Sequence, residues 1–418
     1  PDVLNHLITN RLSKISINCS YDEGENPNYI TRILERMENK EVRQFNEIEL
    51  IKRVVEKKYK NFIISDSVGS GKTETLKDIT RKIRKNYSNY WISFFMLNKS
   101  VRLEENIKDI KEFMGGTILN VNKSDKLLEK TFFEYLFDKK RVVFLFDGFD
   151  EVSSDCKPQV IKMLESLNES GKVKMWVTSR QHLEGELKKI LSTIPFTIIS
   201  LTKEQQVSYL KTAWSNGDEK YDEGTNFAEN LVDQLTKCVK GTDFFGKPLQ
   251  TFLLSEIFKE SNQRAVDIQE LSFTHVFYKF FDRKKTIWRT RLTNETLFSI
   301  SERKLNPMQI HQFFALSFFN NDKRCMFNMS HDVNEWSFED IQMCGIITLD
   351  ADGKLRFIHQ SLAEFLIAMF IKEFLCNFSE IGDEYSDLFL NMFCNDKYSV
   401  VRYFLNQMVD DINLEALK

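Results

Sequence analysis

A glycine-rich loop follows an apolar run in the first hundred residues of the chain. The run Phe62 to Ser65 leads into the sequence Asp66-Ser67-Val68-Gly69-Ser70-Gly71-Lys72-Thr73-Glu74. Glycines let a backbone approach a phosphate group closely, and the N–H groups at the start of a helix favour an anion. Lys72 would reach the β- and γ-phosphates of a nucleotide, and the Thr73 hydroxyl would hold Mg²⁺. The pattern predicts a phosphate-binding loop formed by Val68, Gly69, Ser70, Gly71, Lys72, Thr73 and Glu74.

This loop departs from the Walker A pattern at Asp66, where the pattern has glycine. A carboxylate at the entrance of the loop can repel a phosphate or strain the turn. The sequence therefore leaves open how well the loop binds nucleotide and whether it supports hydrolysis. The alternative is a tight strand-to-helix turn that binds no ligand.

A second apolar run ends in a cluster of acidic residues. The segment Arg141 to Phe146 runs into Asp147-Gly148-Phe149-Asp150-Glu151. Asp147, at the end of this predicted strand, would meet Mg²⁺ directly or through water, and Asp150 or Glu151 would orient an attacking water. The alternative is a solvated acidic loop without chemistry.

Five short apolar runs between residues 60 and 201 predict buried strands, and longer amphipathic stretches separate them. This alternation predicts an α/β fold in which helices cover both faces of a parallel sheet. Ligands of such sheets bind at the carboxyl ends of the strands, which is where both motifs lie. The strands are predicted at Phe62 to Ser65, Trp91 to Met96, Val142 to Phe146, Val173 to Thr178 and Phe196 to Ser200.

Helical spacing dominates the chain after Leu201. Within Ile346 to His359, two apolar runs flank Asp350-Ala351-Asp352-Gly353, which predicts a hairpin. The next helix is expected near Ser361, with a capping box formed by Ser361 and Glu364. The order helix, hairpin, helix predicts a winged-helix domain. The predicted domains are an N-terminal helical lead-in over residues 1–44, a P-loop NTPase domain over 45–201, a helical domain over 202–268, the winged helix over 269–375, and the start of a further helical region over 376–418.

Charge excludes a general affinity for polyanions. The 418 residues contain 58 Lys and Arg against 61 Asp and Glu, a formal net charge of −3, so a nucleotide must be held locally. The predicted winged helix carries only acidic charges from Cys325 to Gly353, which argues against DNA binding. The seven cysteines are widely spaced, as in a reduced cytoplasmic protein, and no apolar run approaches the ~18 residues of a membrane span.

The acidic run Asp147 to Glu151, with the sequence DGFDE, resembles the NACHT clade of the STAND signal-transduction NTPases, which includes the NOD-like immune receptors. The resemblance extends over most of the chain. The segment Lys174 to Arg180 resembles the family's sensor 1, a strand that ends in an arginine. This similarity implies that Arg180 reads the γ-phosphate; as a bare sequence feature it would be a surface arginine.

Three further matches concern the base and the β-phosphate. Gly246-Lys247-Pro248-Leu249 resembles the family motif whose proline packs on adenine; alone, Pro248 would only start a helix. The segment Phe357 to Leu366 is similar to the winged-helix segment whose histidine touches the β-phosphate of ADP, which implies that role for His359; alone it would be a structural hydrogen-bonding residue. By a shorter similarity, the residues of Tyr29-Ile30-Thr31-Arg32, among them Ile30 and Thr31, would flank the adenine.

The resemblance implies an ATP/ADP switch that uses Mg²⁺, hydrolyses ATP slowly, self-associates when ATP-bound and acts in innate-immune or stress signalling. Signalling or sensor domains would lie outside this segment, which starts at Pro1 and is expected to be excised from a longer protein. Two alternatives stay open, a P-loop phosphotransferase and an interaction scaffold that binds no nucleotide.

Overall fold

The computed structural model describes fourteen stretches of the chain. It divides into two compact units between Leu201 and Thr202, and each unit is described by itself below. The described residues are 29–38, 40–55, 60–97, 109–115, 127–152, 156–214, 227–233, 246–258, 273–291, 307–319, 345–349, 355–376, 394–395 and 398–410.

The first unit alternates strands and helices, as the sequence predicts. Its strands are β1 Ile33–Glu38, β2 Glu41–Asn46, β3 Asn61–Ser65, β4 Trp91–Met96, β5 Val142–Asp147, β6 Val173–Ser179 and β7 Thr197–Ile198. Its helices are α1 Glu47–Val55, α2 Lys72–Asn86, α3 Ile110–Phe113, α4 Leu127–Asp138, α5 Lys157–Ser170 and α6 Glu184–Leu191, with 3₁₀ turns at Phe149–Glu151 and Gln181–Leu183.

Strands β3, β6, β5 and β4 form, in that order, a parallel sheet. Side chains alternate between the two faces, because successive residues of a strand point to opposite sides. Phe62 and Ile64 of β3 pack with Leu76 and Ile79 of α2, whereas Ile63 packs with the helices of the opposite face. The α/β fold with a parallel sheet covered on both faces is thus confirmed.

The predicted fifth strand, Phe196 to Ser200, is shorter than predicted and joins the parallel sheet only at its first residue. Only Phe196 pairs with β3, through a parallel bridge to Ile64. Strand β7 then leaves the sheet and pairs antiparallel with Leu34 and Glu35 of β1. The physical reason is that β3 ends where the phosphate loop begins, so no further backbone groups of β3 are available beyond Ser65.

The predicted helical lead-in over residues 1–44 is also wrong in the part that the structure describes. Strands β1 and β2 form an antiparallel hairpin that pairs Ile33 with Asn46 and Glu38 with Glu41. The paired residues Leu34 and Phe45 are buried in one apolar core with Phe62 and Ile64 of β3, and Arg36 is buried on the same face of β1 as Leu34. Residues 1–28 lie outside the described residues.

The second unit is mainly helical. Its helices are α7 Lys203–Trp214, α8 at residues 227–233, α9 Pro248–Phe258, α10 Phe273–Arg291, α11 Pro307–Phe319, α12 Gln360–Cys376 and α13 Ser399–Asp410. Strands β8 Ile347–Leu349 and β9 Leu355–Phe357 pair antiparallel between α11 and α12. The predicted turn Asp350 to Gly353 lies outside the described residues, and the winged helix stays a prediction. None of the described helices has the length and apolar composition that crossing a membrane requires.

An aromatic cluster joins three helices of this second unit. Phe365 of α12 stacks on Phe281 of α10 with the ring planes 8° apart, and it also contacts Phe404 of α13 edge-on. These residues belong to one apolar core, together with buried residues of α7 and α9. Phe281, Phe365 and Phe404 therefore serve packing.

Candidate functional site

The loop between β3 and α2 folds around the ammonium group of Lys72. Lys72 Nζ donates to the backbone oxygens of Asp66 at 2.9 Å and Ser67 at 2.8 Å. Gly69 and Gly71 have φ values of 77° and 90°, a region that is strained for other residues. Gly71 directly precedes α2, so the helix N-terminus and the lysine lie at the same end of the loop. This arrangement is suited to an anion.

The Asp66 carboxylate, which the sequence left open as a source of repulsion, accepts backbone N–H groups in the structure. Its Oδ1 accepts from the Ser67 N–H at 2.6 Å and from the Ser67 hydroxyl at 3.1 Å. Its Oδ2 accepts from the Ile198 N–H at 2.9 Å. The side chain is thus buried and turned toward backbone N–H groups of the loop and of β7.

The predicted Mg²⁺ ligands Thr73 and Asp147 are brought together. Thr178 Oγ1 donates to Asp147 Oδ1 at 2.5 Å, and a side-chain hydrogen bond with Thr73 acts to lower the pKa of Asp147. Burial raises the pKa of Asp147, and the bonds from Thr178 and Thr73 oppose that rise. One hydroxyl and one carboxylate fit the donor set of Mg²⁺, which takes its other ligands from phosphates and water. No group of three His, Cys, Asp or Glu able to hold a metal occurs among the described residues.

Arg180 and Asp150 form an ion pair next to these residues. Arg180 Nε lies 2.8 Å from Asp150 Oδ2, and the two side chains are only 12% and 7% exposed. Burial lowers the pKa of Lys72, Asp150 and Asp66 oppose this effect, and Arg180 adds to it. The predicted sensor arginine therefore has a carboxylate partner within the same charge cluster as Lys72.

Glu151 lies in the 3₁₀ turn that follows Gly148. Gly148 has a φ of 80°, and a Cβ built at this position would lie 3.2 Å from Glu151 Cδ and from Glu151 Oε2. A side chain here would be strained and would push Glu151 aside. The absence of a side chain at Gly148 thus leaves room for the Glu151 carboxylate.

Gly148→Ala is expected to destabilise the fold by more than Gly171→Ala. Both glycines have positive φ, so each alanine should cost about 1–2 kcal/mol. Only Gly148 also has a side chain in its way, whereas Gly171 has no neighbour closer than 4.0 Å. Urea unfolding of both variants measures the difference, and equal losses would show that Glu151 yields without cost.

The segment Tyr29 to Arg32, predicted to flank the base, packs against α2 through Glu47. Glu47 accepts hydrogen bonds from the Tyr29 hydroxyl and, at 2.7 Å, from the Arg32 N–H. Its other oxygen accepts from Lys82 of α2. Burial raises the pKa of Glu47, and Asp78 raises it further. Ile30 and Thr31 lie within this anchored segment, and their contact with a base stays a prediction.

Pro248 and His359 belong to the second unit, and their predicted nucleotide contacts stay predictions. Pro248 is the first residue of α9, where proline suits a helix start. His359 directly precedes α12, and its Nδ1 accepts from the Ser361 N–H at 3.1 Å. The predicted capping box of Ser361 and Glu364 is wrong, because Ser361 is already helical and its hydroxyl lies 2.7 Å from His359 Nδ1. Accepting at Nδ1 places the hydrogen of the neutral ring on Nε2.

The predicted loop residues differ in where their side chains point. Glu74 forms an ion pair with Lys77 at 2.8 Å and has a side chain that is 42% exposed, so its carboxylate lies on the outer side of α2. Ser70 is buried and its hydroxyl donates to Ser67 O at 3.0 Å.

The sequence analysis did not single out Thr178, which contacts Asp147. A polar residue near the end of a predicted buried strand was the signal that could have found it. Glu47 offers no such signal.

The phosphate loop, the acidic strand end and the parallel sheet define a P-loop NTPase fold. Residues 62–216 match the family model of the NACHT domain. The chain thus carries a NACHT domain, a nucleotide-binding NTPase domain, in agreement with the prediction from the DGFDE run. A comparison with curated protein sequences finds no match.

Several solved structures are similar over a large part of the chain, with low scores. Domain III of the replication initiation protein DnaA from Thermotoga maritima has a TM-score of 0.32 and 16% identity, and the match covers 56% of this chain and 88% of that one. The Orc1 protein from Aeropyrum pernix, solved in complex with DNA, has a TM-score of 0.34 and 14% identity over 78% and 92% of the two chains. Cdc6p from Pyrobaculum aerophilum has a TM-score of 0.30 and 10% identity over 75% and 88%. Scores this low support no argument about function.

Proposed function

We propose that this chain is a nucleotide-dependent switch that binds ADP or ATP with Mg²⁺ and self-associates in the ATP state. The observation that carries the proposal is the loop folded around Lys72 Nζ at the start of α2, with Thr73 as the next residue and Asp147 at the end of β5 in the same parallel sheet. These three residues supply what a Mg²⁺–nucleotide needs, a cation for the phosphates and two oxygens for the metal. Bound Mg²⁺ would neutralise charge on the β- and γ-phosphates.

The ion pair of Arg180 with Asp150 supports discrimination between ADP and ATP. A γ-phosphate would compete with Asp150 for the Arg180 guanidinium, whereas ADP has no group to compete with. A ligand shifts an equilibrium only through its different affinity for the two states, and this exchange of partners supplies such a difference. Asp150 or Glu151 would then orient the water for slow ATP hydrolysis.

The remaining predicted contacts complete the proposal. Pro248 would pack on adenine, Ile30 and Thr31 would flank it, and the Nε2–H of His359 would donate to the β-phosphate of ADP. Innate-immune or stress signalling, with sensor and signalling domains outside this segment, is the biological role that we propose for such a switch. The resemblance to NACHT proteins and the match over residues 62–216 support this reading.

The nucleotide content of the purified protein tests the proposal. The protein is denatured and the released small molecules are separated by ion-exchange chromatography. We expect about one mole of ADP or ATP per mole of protein. In light scattering, we expect the ADP-bound protein to be a monomer and the protein with a non-hydrolysable ATP analogue to self-associate. No released nucleotide and no binding of added ADP or ATP would favour the scaffold. Phosphate transfer to an acceptor at about 1–100 s⁻¹ would favour the phosphotransferase.

A further inference from the structure

Asp66 connects the entrance of the phosphate loop to β7. The last backbone hydrogen bond between β3 and the segment that leads into β7 runs from the Ser65 N–H to Phe196 O, at 2.8 Å. The carboxylate of Asp66, the residue after Ser65, accepts the N–H of Ile198, which lies two residues after Phe196. A glycine at position 66 would leave this buried N–H without its partner, which is costly.

The same end of β7 is held from its other side by the segment before β1. Arg32 Nη2 donates to Ile199 O, and the Ile199 N–H donates to Ile33 O at 2.9 Å. Arg32 is only 4% exposed; burial lowers its pKa, and Tyr29, Glu47 and Asp66 oppose that effect. Asp66 thus binds Ile198, the last residue of β7, and Arg32 binds the next residue, Ile199.

This segment also reaches the helix at the other end of the phosphate loop. The Arg32 N–H donates to Glu47, and Glu47 pairs with Lys82 of α2. The segment is therefore linked to the strand side of the loop through β7 and Asp66, and to the helix that follows the loop through Glu47 and Lys82.

We propose that Asp66 is a positioning residue for nucleotide binding, which fixes the loop entrance to β7 and couples the grip on the phosphates to the segment Tyr29–Arg32. The inference rests on the proposed nucleotide binding. This role explains why a carboxylate can occupy the position where the Walker A pattern has glycine.

The sign of the mutational effect separates this role from simple repulsion. If the Asp66 carboxylate repelled the phosphates, its removal in Asp66→Asn or Asp66→Gly would tighten nucleotide binding. If the carboxylate positions the loop, both variants should bind nucleotide more weakly, because each loses the acceptor for the Ile198 N–H. Asp66→Asn keeps one accepting oxygen for Ser67 and should lose less than Asp66→Gly.

The test measures the dissociation rate of a fluorescent ADP by stopped flow in the full chain. We expect release to be about tenfold faster in Asp66→Gly, with a smaller change in the same direction in Asp66→Asn. Asp109→Asn is the matched control, because Asp109 also accepts backbone N–H groups, from Lys111 at 2.8 Å and Glu112 at 3.3 Å, at the start of α3. Its release rate should equal that of the wild type.

A double-variant cycle tests the coupling to the N-terminal segment. Arg32→Met should also speed ADP release, and Asp66→Gly combined with Arg32→Met should speed it by less than the product of the two single effects, since both act through β7. Urea unfolding without nucleotide gives the free energy of unfolding of each variant, which separates weaker nucleotide binding from a less stable fold. Asp66→Asn preserves the shape of the side chain and decides the question if the glycine variant does not fold.

The outcomes separate the failure of this inference from the failure of the proposed function. A wild type that binds no nucleotide contradicts the proposed function. A wild type that binds ADP, with a Lys72→Ala variant that does not and Asp66 variants that release ADP at the wild-type rate or more slowly, overturns only the inference. Independent, multiplicative effects of Asp66→Gly and Arg32→Met overturn the coupling to the segment Tyr29–Arg32.

Discussion

Lys72→Ala is expected to weaken ADP binding by about a hundredfold or more, which corresponds to ~2.7 kcal/mol. The ammonium group lies on the inner side of the loop, where it bonds Asp66 O and Ser67 O. It is the charge that would neutralise the β-phosphate, and alanine supplies none. Isothermal titration calorimetry with ADP and Mg²⁺ measures the loss, and the nucleotide retained through purification should vanish in parallel.

The control for this experiment is Lys85→Ala, which removes an exposed lysine from the last turn of the same helix. It changes the net charge equally and should leave ADP affinity unchanged. Because burial lowers the pKa of Lys72, ADP affinity of the wild type should also fall with rising pH before the ordinary lysine range is reached. Wild-type ADP content in Lys72→Ala would contradict the assignment of the loop.

The two partners of the Arg180–Asp150 ion pair are expected to change the ATP/ADP preference in opposite directions. Asp150→Asn should raise the ratio of ATP affinity to ADP affinity about ten- to hundredfold, since no carboxylate at position 150 then competes with the γ-phosphate for the Arg180 guanidinium. Arg180→Gln should remove the preference for ATP and leave ADP affinity close to that of the wild type. Competition between fluorescent ADP and a non-hydrolysable ATP analogue measures the ratio.

Two further variants control for loss of stability and for a general effect of removing an ion pair. Arg180→Gln leaves a buried carboxylate without its partner and can destabilise the fold, so the double variant with Asp150→Asn repeats the measurement without a buried charge. Asp138→Asn breaks the exposed pair of Asp138 with Lys172, where the atoms are 2.7 Å apart, and should leave the ratio unchanged. An ATP/ADP ratio that is the same in all variants would refute a sensing role for Arg180.

The sequence by itself determined the parts of the site that depend on neighbouring residues. A buried run followed by Gly69, Gly71 and Lys72 specifies a strand, a tight turn and a helix start, because each requirement is met within a few residues. The acidic run after β5 is equally local. Four strands of the sheet could be predicted for the same reason, since continuous apolar runs of this length fit a strand that is covered on both faces.

The tertiary structure alone decided what those residues contact. Asp66 at the loop entrance could have faced the phosphates, and its actual acceptor role depends on the Ile198 N–H, 132 positions later in the chain. The hairpin of β1 and β2 was predicted as helix because its stabilising partner, β7, follows only after the whole sheet. Hydrogen bonds between such distant segments depend on strand register and on which edge of the sheet each segment reaches, and local spacing in the sequence carries no record of either.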